Sequence, residues 1–177
     1  MATKPNRLSE RGFDHMKYYI AYGSNLSVAQ MAFRCPDAKV VGRGVLQDWK
    51  LEFRIHATIK PCVGSSVPVL VWQISDEDEK SLDRYEGFPK YYIKDEIPVT
   101  VTGLRSRQTK TIKAMVYIMA IRRPLIPPTR EYYETIKEGY ERFKFNKQTL
   151  VDACDACMEA DFTTLPDYEP VRAYADG

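Results

Sequence analysis

Histidine is nearly missing from this chain: 177 residues hold two, His15 and His56. A Ser-His-Asp or Cys-His centre would have to use one of them. His15 lies in a stretch that does not read as part of the fold. His56, between Ile55 and Ala57 in a strand-like run, reads as a structural histidine. Cysteine is sparse too. Cys35, Cys62, Cys154 and Cys157 make no disulfide framework in a chain of this length. Cys154 and Cys157 are spaced as C-x-x-C, but inside a helical pattern with no strand before it. Buried or half-buried free thiols are expected there, rather than a redox or zinc site. No apolar run approaches the ~18 residues of a membrane-spanning helix. Neither sign of charge dominates: 26 basic and 24 acidic residues are interspersed, for a net +2. That pattern calls for neither nucleic acid nor an anionic membrane. Repeats and low-complexity segments are absent. The first fifteen residues are polar and lack the apolar core of a signal peptide, so a cytoplasmic protein is expected.

What is present fits one globular domain, at 44% hydrophobic and 28% charged residues. Residues 1–15 read as an N-terminal appendage, native or left by cloning ahead of Met16. Residues 16–162 read as the domain, and 163–177 as a loosely attached tail. Lys17 to Tyr22 is strand-like and ends in Gly23-Ser24-Asn25-Leu26, after which Ser27 to Arg34 takes a helical period up to Cys35-Pro36. Such a strand–turn–helix leaves backbone N–H groups pointing one way, a place for a carboxylate, a phosphate or a carbonyl oxygen.

Lys39 to Leu46, with Gly42 and Gly44 marking a bulge or bend, reads as a strand, and so does the alternating Trp49-Lys50-Leu51-Glu52-Phe53. His56 to Lys60 continues it or begins another, and 60–66 reads as a loop. Val67 to Ile74 is a buried strand that Pro68 opens. Ser75 caps a helix that Gly87 stops. Tyr91 to Val101 and Lys110 to Met119 are strands joined near Thr102-Gly103. After a proline-rich loop, Thr129 to Phe143 and Lys147 to Ala160 are helices, the second capped by Asn146. About six strands, two short inserted helices and two terminal ones do not alternate strictly. The expected fold is therefore α+β, a small mixed or antiparallel barrel with flanking helices.

With histidine scarce, proton transfer would fall to a carboxylate. Most acids sit in solvated runs, such as Asp76 to Glu79 and Asp95-Glu96. Glu86 stands apart. It ends a helix, where the dipole is negative, among Tyr85, Phe88, Tyr91 and Tyr92. Both settings favour the neutral acid and push its pKa toward neutrality.

Tyr22-Gly23-Ser24-Asn25-Leu26, followed at the right spacing by Leu82-Asp83-Arg84-Tyr85-Glu86-Gly87 with Trp49-Lys50-Leu51-Glu52-Phe53 between them, resembles the γ-glutamylcyclotransferase-like superfamily, which includes the AIG2-like proteins. The likeness runs from about Lys17 to Phe145. It implies a small β-barrel with flanking helices and an enzyme that closes a γ-glutamyl group into 5-oxoproline, releasing an amino acid or amine without metal or organic cofactor. It also implies the site. The loop Tyr22, Gly23, Ser24, Asn25 and Leu26 would hold the γ-glutamyl part, largely through backbone N–H groups, and Glu86 would be the acid/base. Tyr92 would contact substrate, with Tyr91 as its rival, as would Tyr117 and Tyr132. Three alternatives share the fold: an enzyme acting on γ-glutamyl-amines, one removing a γ-glutamyl group from a biosynthetic intermediate, and a non-catalytic ligand binder. The leaving side of the pocket is expected from loops 60–66 and 122–128. A small γ-glutamyl compound is the expected partner, and monomer and homodimer are both open.

Overall fold

The computed structural model describes residues 16–160. The expected appendage at 1–15 and tail at 163–177 lie outside the described residues. Five strands close into a barrel in the order β1-β3-β2-β4-β5. They are β1 (Lys17–Ala21), β2 (Lys39–Arg54), β3 (His56–Ile74), β4 (Tyr92–Gly103) and β5 (Thr109–Met119). Neighbours pair antiparallel except β1 with β5, where Tyr19 lies opposite Met115 and Ile20 opposite Val116 in parallel. That short parallel contact closes the barrel and makes it mixed. The helices are α1 (Val28–Arg34), α2 (Asp76–Glu86), α3 (Arg130–Arg142) and α4 (Gln148–Glu159), with a 3-10 turn at Ser24–Leu26.

The strand count is five where the residues suggest about six. The segments 39–46 and 49–53 are one strand, β2, and 56–60 and 67–74 are one strand, β3. The two form a long ribbon that stays paired across its irregular middle. Gln47 lies opposite Ser66 and Trp49 opposite Pro61, so residues 62–65 bulge out against Asp48 alone. Asp48 takes φ 62°, and its Oδ1 accepts a hydrogen bond from the Gly64 N–H at 2.9 Å. The expected loop at 60–66 is thus a four-residue excursion within a strand. Pro61 and Gly64 read as strand breakers, but a bulge on a paired ribbon tolerates them. Pro68 likewise sits inside β3 rather than opening it. It lies just before Leu70, where pairing with β1 begins, so its missing N–H interrupts no ladder on that side.

Val67, Val69, Leu70, Val71, Trp72 and Ile74 of β3 are all buried, as the continuous apolar run requires of a strand covered on both faces. Ser75 and Asp78 form a reciprocal capping box at the start of α2. Gly87 ends α2 at φ 65°, a left-handed conformation that costs glycine no Cβ clash. At α4 the helical residues begin at Gln148, with Lys147 at the cap position; Asn146 Oδ1 still accepts from the Gln148 N–H at 3.0 Å.

All four cysteines are free. Burial pushes the Cys154 thiol up to about 12 and Cys157 to about 11, so neither is a ready thiolate. Among the described residues no helix is long and apolar enough to cross a membrane, and no group of three or more His, Cys, Asp or Glu is placed to hold a metal.

The turn after β1 is fixed from behind by α3. Leu26 is fully buried, and a Cβ on Gly139 would lie 2.5 Å from the Leu26 Cβ. Gly139→Ala should therefore push the turn outward and lower stability by about 1–3 kcal/mol, the usual range for overpacking. Chemical denaturation of the two proteins checks this.

Candidate active site

The C-terminal end of β1, the end of α2 and the start of α3 converge on a cavity of about 640 Å³. Tyr22, Gly23, Ser24, Asn25, Glu86, Tyr92, Tyr117 and Tyr132 all line it, together with Tyr91, the rival of Tyr92. Leu26 does not. It sits behind the wall, and its N–H is occupied by Gly23 O at 3.0 Å. The Ser27 N–H likewise donates to Ser24 O. The N–H groups of Ser24 and Asn25 are the ones that a helical start leaves without an acceptor in its own turn. Space at Gly23 is tight: a Cβ there would lie 3.2 Å from the Tyr132 hydroxyl and from Ala57 Cβ, so those neighbours would have to shift by a few tenths of an ångström.

Asn25 organises the polar floor. Its Oδ1 accepts from the Arg34 guanidinium at 2.6 Å. That contact orients the amide, because only its oxygen can accept from arginine. Nδ2 then faces the other way and donates to the Tyr19 hydroxyl at 2.8 Å and to Glu86 Oε1 at 3.0 Å. The Asn25 carbonyl accepts from Trp72 Nε1 at 3.1 Å. The Arg34 guanidinium stacks over the Tyr85 ring, 3.4 Å from its centroid.

Among the described residues the Asn25 amide is the hydrogen-bond partner of Glu86, and tyrosines make up much of the wall around it, with Arg34 nearby. Desolvation raises its pKa from the ordinary 4.5 to about 7, against the opposing pull of the Arg34 charge and the Asn25 hydrogen bond. The expectation of a carboxylate tuned toward neutrality holds. Its main cause is desolvation by the cavity wall.

The tyrosines wall the cavity with their hydroxyls turned to protein groups. Tyr22 donates to Tyr117 O at 2.6 Å, and Tyr92 to Ala57 O at 2.7 Å. The Tyr132 hydroxyl accepts from the Ala57 N–H at 3.2 Å. Tyr117 donates to Asp83 Oδ1 at 2.6 Å. Burial raises all four well above the usual phenol value, so they hold their protons.

The mouth differs from expectation. Residues 60–66 take no part in it. Instead the turn of the β2–β3 ribbon supplies Ile55 and His56, the end of α2 supplies Arg84, and Arg123 comes from the expected 122–128 segment. Arg123 lies 5.7 Å over the Tyr91 ring. His56 packs edge-on against Tyr132, 5.1 Å between centroids, and burial lowers its pKa. Sequence reading missed Tyr19, Arg34, Trp72 and the arginines of the mouth. Tyr19 and Trp72 are strand residues that read as core, and Arg34 reaches Asn25 only because the turn folds α1 back.

Residues 19–148 match the family described as gamma-glutamyl cyclotransferase, AIG2-like. The chain belongs to that family. Over 134 residues it is 33% identical to the mouse protein named gamma-glutamylcyclotransferase and 30% identical to its human namesake, covering 68% of each chain in both cases. A solved structure named gamma-glutamyl cyclotransferase shares the fold, with a TM-score of 0.67 at 24% identity over 92% of this chain and 93% of that one. The family match spans the turn after β1, Glu86 and all four wall tyrosines.

A raised carboxylate pKa has a stability consequence. The folded state binds the Glu86 proton more tightly than the unfolded chain does. This contribution is complete below the ordinary 4.5 and is lost as pH rises through about 7. His56, with its pKa lowered, acts in the opposite sense, so the comparison must be with Glu86→Gln. The Tm of the Gln variant minus that of the native protein should rise between about pH 5 and about pH 8. Parallel melts across that range check it; a flat difference would mean an ordinary carboxylate.

Proposed function

We propose that this protein is a γ-glutamyl cyclotransferase that uses Glu86 as its acid/base. The observation that carries the reading is Glu86, the one carboxylate among the cavity's lining residues, hydrogen-bonded by Asn25 of the turn after β1 in the same cavity and with its pKa raised by burial. The γ-glutamyl part would lie between them. Its α-amine attacks its own γ-carbonyl carbon, forming the ring C–N bond. Glu86, as carboxylate, takes the amine proton. The tetrahedral centre then collapses, the bond to the leaving nitrogen breaks, and protonated Glu86 returns the proton to that nitrogen. The products are 5-oxoproline and a free amine. Ring closure is intramolecular, so holding the chain bent supplies much of the rate. The aromatic wall suits that task, and the Ser24 and Asn25 N–H groups suit a substrate carboxylate or the developing oxyanion.

The mouth favours an amino acid over a simple amine as the leaving group. Arg84, Arg123 and His56 stand there, and Glu86 is the only carboxylate among the lining residues. A leaving group bearing a carboxylate suits such a mouth, and a cationic amine does not.

Glu86→Gln should still bind γ-glutamyl compounds, since the Gln Oε1 can accept from Asn25 as the carboxylate does. Its release of 5-oxoproline should fall by roughly 10²-fold or more. Native turnover in this variant would leave a binding protein, or another base, as the reading. Arg123→Ala should raise KM for γ-glutamyl amino acids by about 10-fold, the order of one charged hydrogen bond, and leave γ-glutamyl-amines unaffected. Steady-state assays on both substrate classes measure this.

A further inference from the structure

The likeness to the family casts Tyr117 as a substrate contact. Its hydroxyl, however, donates to Asp83 Oδ1 at 2.6 Å. Asp83 stands one helical turn before Glu86 on α2, and residues spaced i and i+3 are neighbours on a helix surface. The Lys94 ammonium on β4 lies 3.0 Å from the same carboxylate and also binds Glu79, which in turn pairs with Lys17 of β1. Two barrel strands therefore hold the last turn of α2, where a helix is otherwise prone to fray.

The tie continues on the other side of Glu86. Asn25 donates both to Glu86 and to Tyr19, and the rings of Tyr19 and Tyr117 meet edge to face, 5.9 Å between centroids. The contacts close a circuit: Glu86, Asn25, Tyr19, Tyr117, Asp83, and back to Glu86 along one turn of helix. Tyr117 is 2% exposed, and an O–H donated to a carboxylate at this distance is a strong, charge-assisted bond. Burial and the Asp83 carboxylate both keep the proton on the Tyr117 oxygen.

We propose that the Tyr117–Asp83 pair is a positioning clamp that holds Glu86 against Asn25, and that Tyr117 serves the reaction through α2 rather than by touching substrate with its hydroxyl. The proposal rests on Glu86 being the acid/base of γ-glutamyl cyclisation. Without the clamp the last turn of α2 loosens, Glu86 drifts from the bent substrate, and water enters behind it. A misplacement of about 1 Å is enough to cost up to ~10²-fold in rate.

Tyr117→Phe, Asp83→Asn and the double variant test it. Tyr117→Phe should lower kcat by about 5- to 50-fold with KM changed less than about 2-fold; Asp83→Asn, which also loses the Lys94 ion pair, should cost at least as much, and the double should be little worse than Asp83→Asn, since the Tyr117–Asp83 bond is lost only once. A second readout does not depend on turnover: titration of the Glu86 side-chain carboxyl carbon by NMR. Its midpoint should fall from about 7 toward the ordinary carboxylate value in Tyr117→Phe. The charged and titratable groups that face Glu86 are Arg34 on α1 and Cys35 at its end, Tyr19 and Tyr22 at β1, Tyr92 on β4 and Tyr132 on α3, with His56, Arg84, Tyr85, Tyr91 and Arg123 on the same cavity, and Tyr117→Phe changes none of them. If Asp83→Asn does not fold, the milder Tyr117→Phe decides.

A Tyr117→Phe variant with about 10-fold higher KM, native kcat and an unmoved Glu86 midpoint would overturn the clamp and return Tyr117 to the substrate. If the native protein releases no 5-oxoproline from any γ-glutamyl compound, the cyclisation reading fails, and the NMR midpoint alone then upholds or overturns the clamp.

Discussion

A half-buried carboxylate among tyrosines, hydrogen-bonded by the Asn25 amide, is the constraint on which this site depends. Ionised Glu86 is costly inside an aromatic wall, and the Asn25 amide offsets only part of that cost. The balance leaves the group near half-ionised at neutral pH, where one residue can both take and return a proton. The Asn25 amide faces Glu86 because Arg34 holds its oxygen from the other side, and Arg34 is held by stacking on Tyr85, the residue before Glu86. Four residues from three elements therefore define one hydrogen bond.

The barrel makes that arrangement possible by bringing distant ends together. β1 lies between β3 and β5, and its C-terminal end opens into the turn that carries Gly23, Ser24 and Asn25. α2 follows β3 directly, and its last residue, Glu86, lines the same cavity. α3 backs the turn through Gly139 and adds Tyr132 to the wall. The hydroxyls of Tyr22, Tyr92, Tyr117 and Tyr132 all bind protein groups. These bonds fix the orientation of the aromatic rings around the cavity.

Much of the fold was legible in the residues. The Ser75 cap and the Gly87 stop bound α2 as read, because both depend on local backbone chemistry. The buried run Val67 to Ile74 declared its strand by composition. The middle of the β2–β3 ribbon was not legible. Pro61 and Gly64 are breakers in isolation, and only cross-strand pairing shows that the chain bulges there and continues. The same pairing puts the ribbon's turn, rather than the 62–65 excursion, at the mouth of the cavity.

The candidate site divides along the same line. Local pattern was enough to single out the turn Tyr22 to Asn25 and the acid Glu86, since a strand–glycine–helix turn and an acid at a helix end among aromatics are both short-range features. It also pointed to the wall tyrosines through the family likeness. The partners of these residues were decided by tertiary structure alone. Arg34 on Asn25, Trp72 on the Asn25 carbonyl, Asp83 on Tyr117 and Arg123 over Tyr91 each join residues between 9 and 47 positions apart. No periodicity links them. A side chain's partner across a barrel is set by strand order and register, and these emerge only when the whole sheet closes.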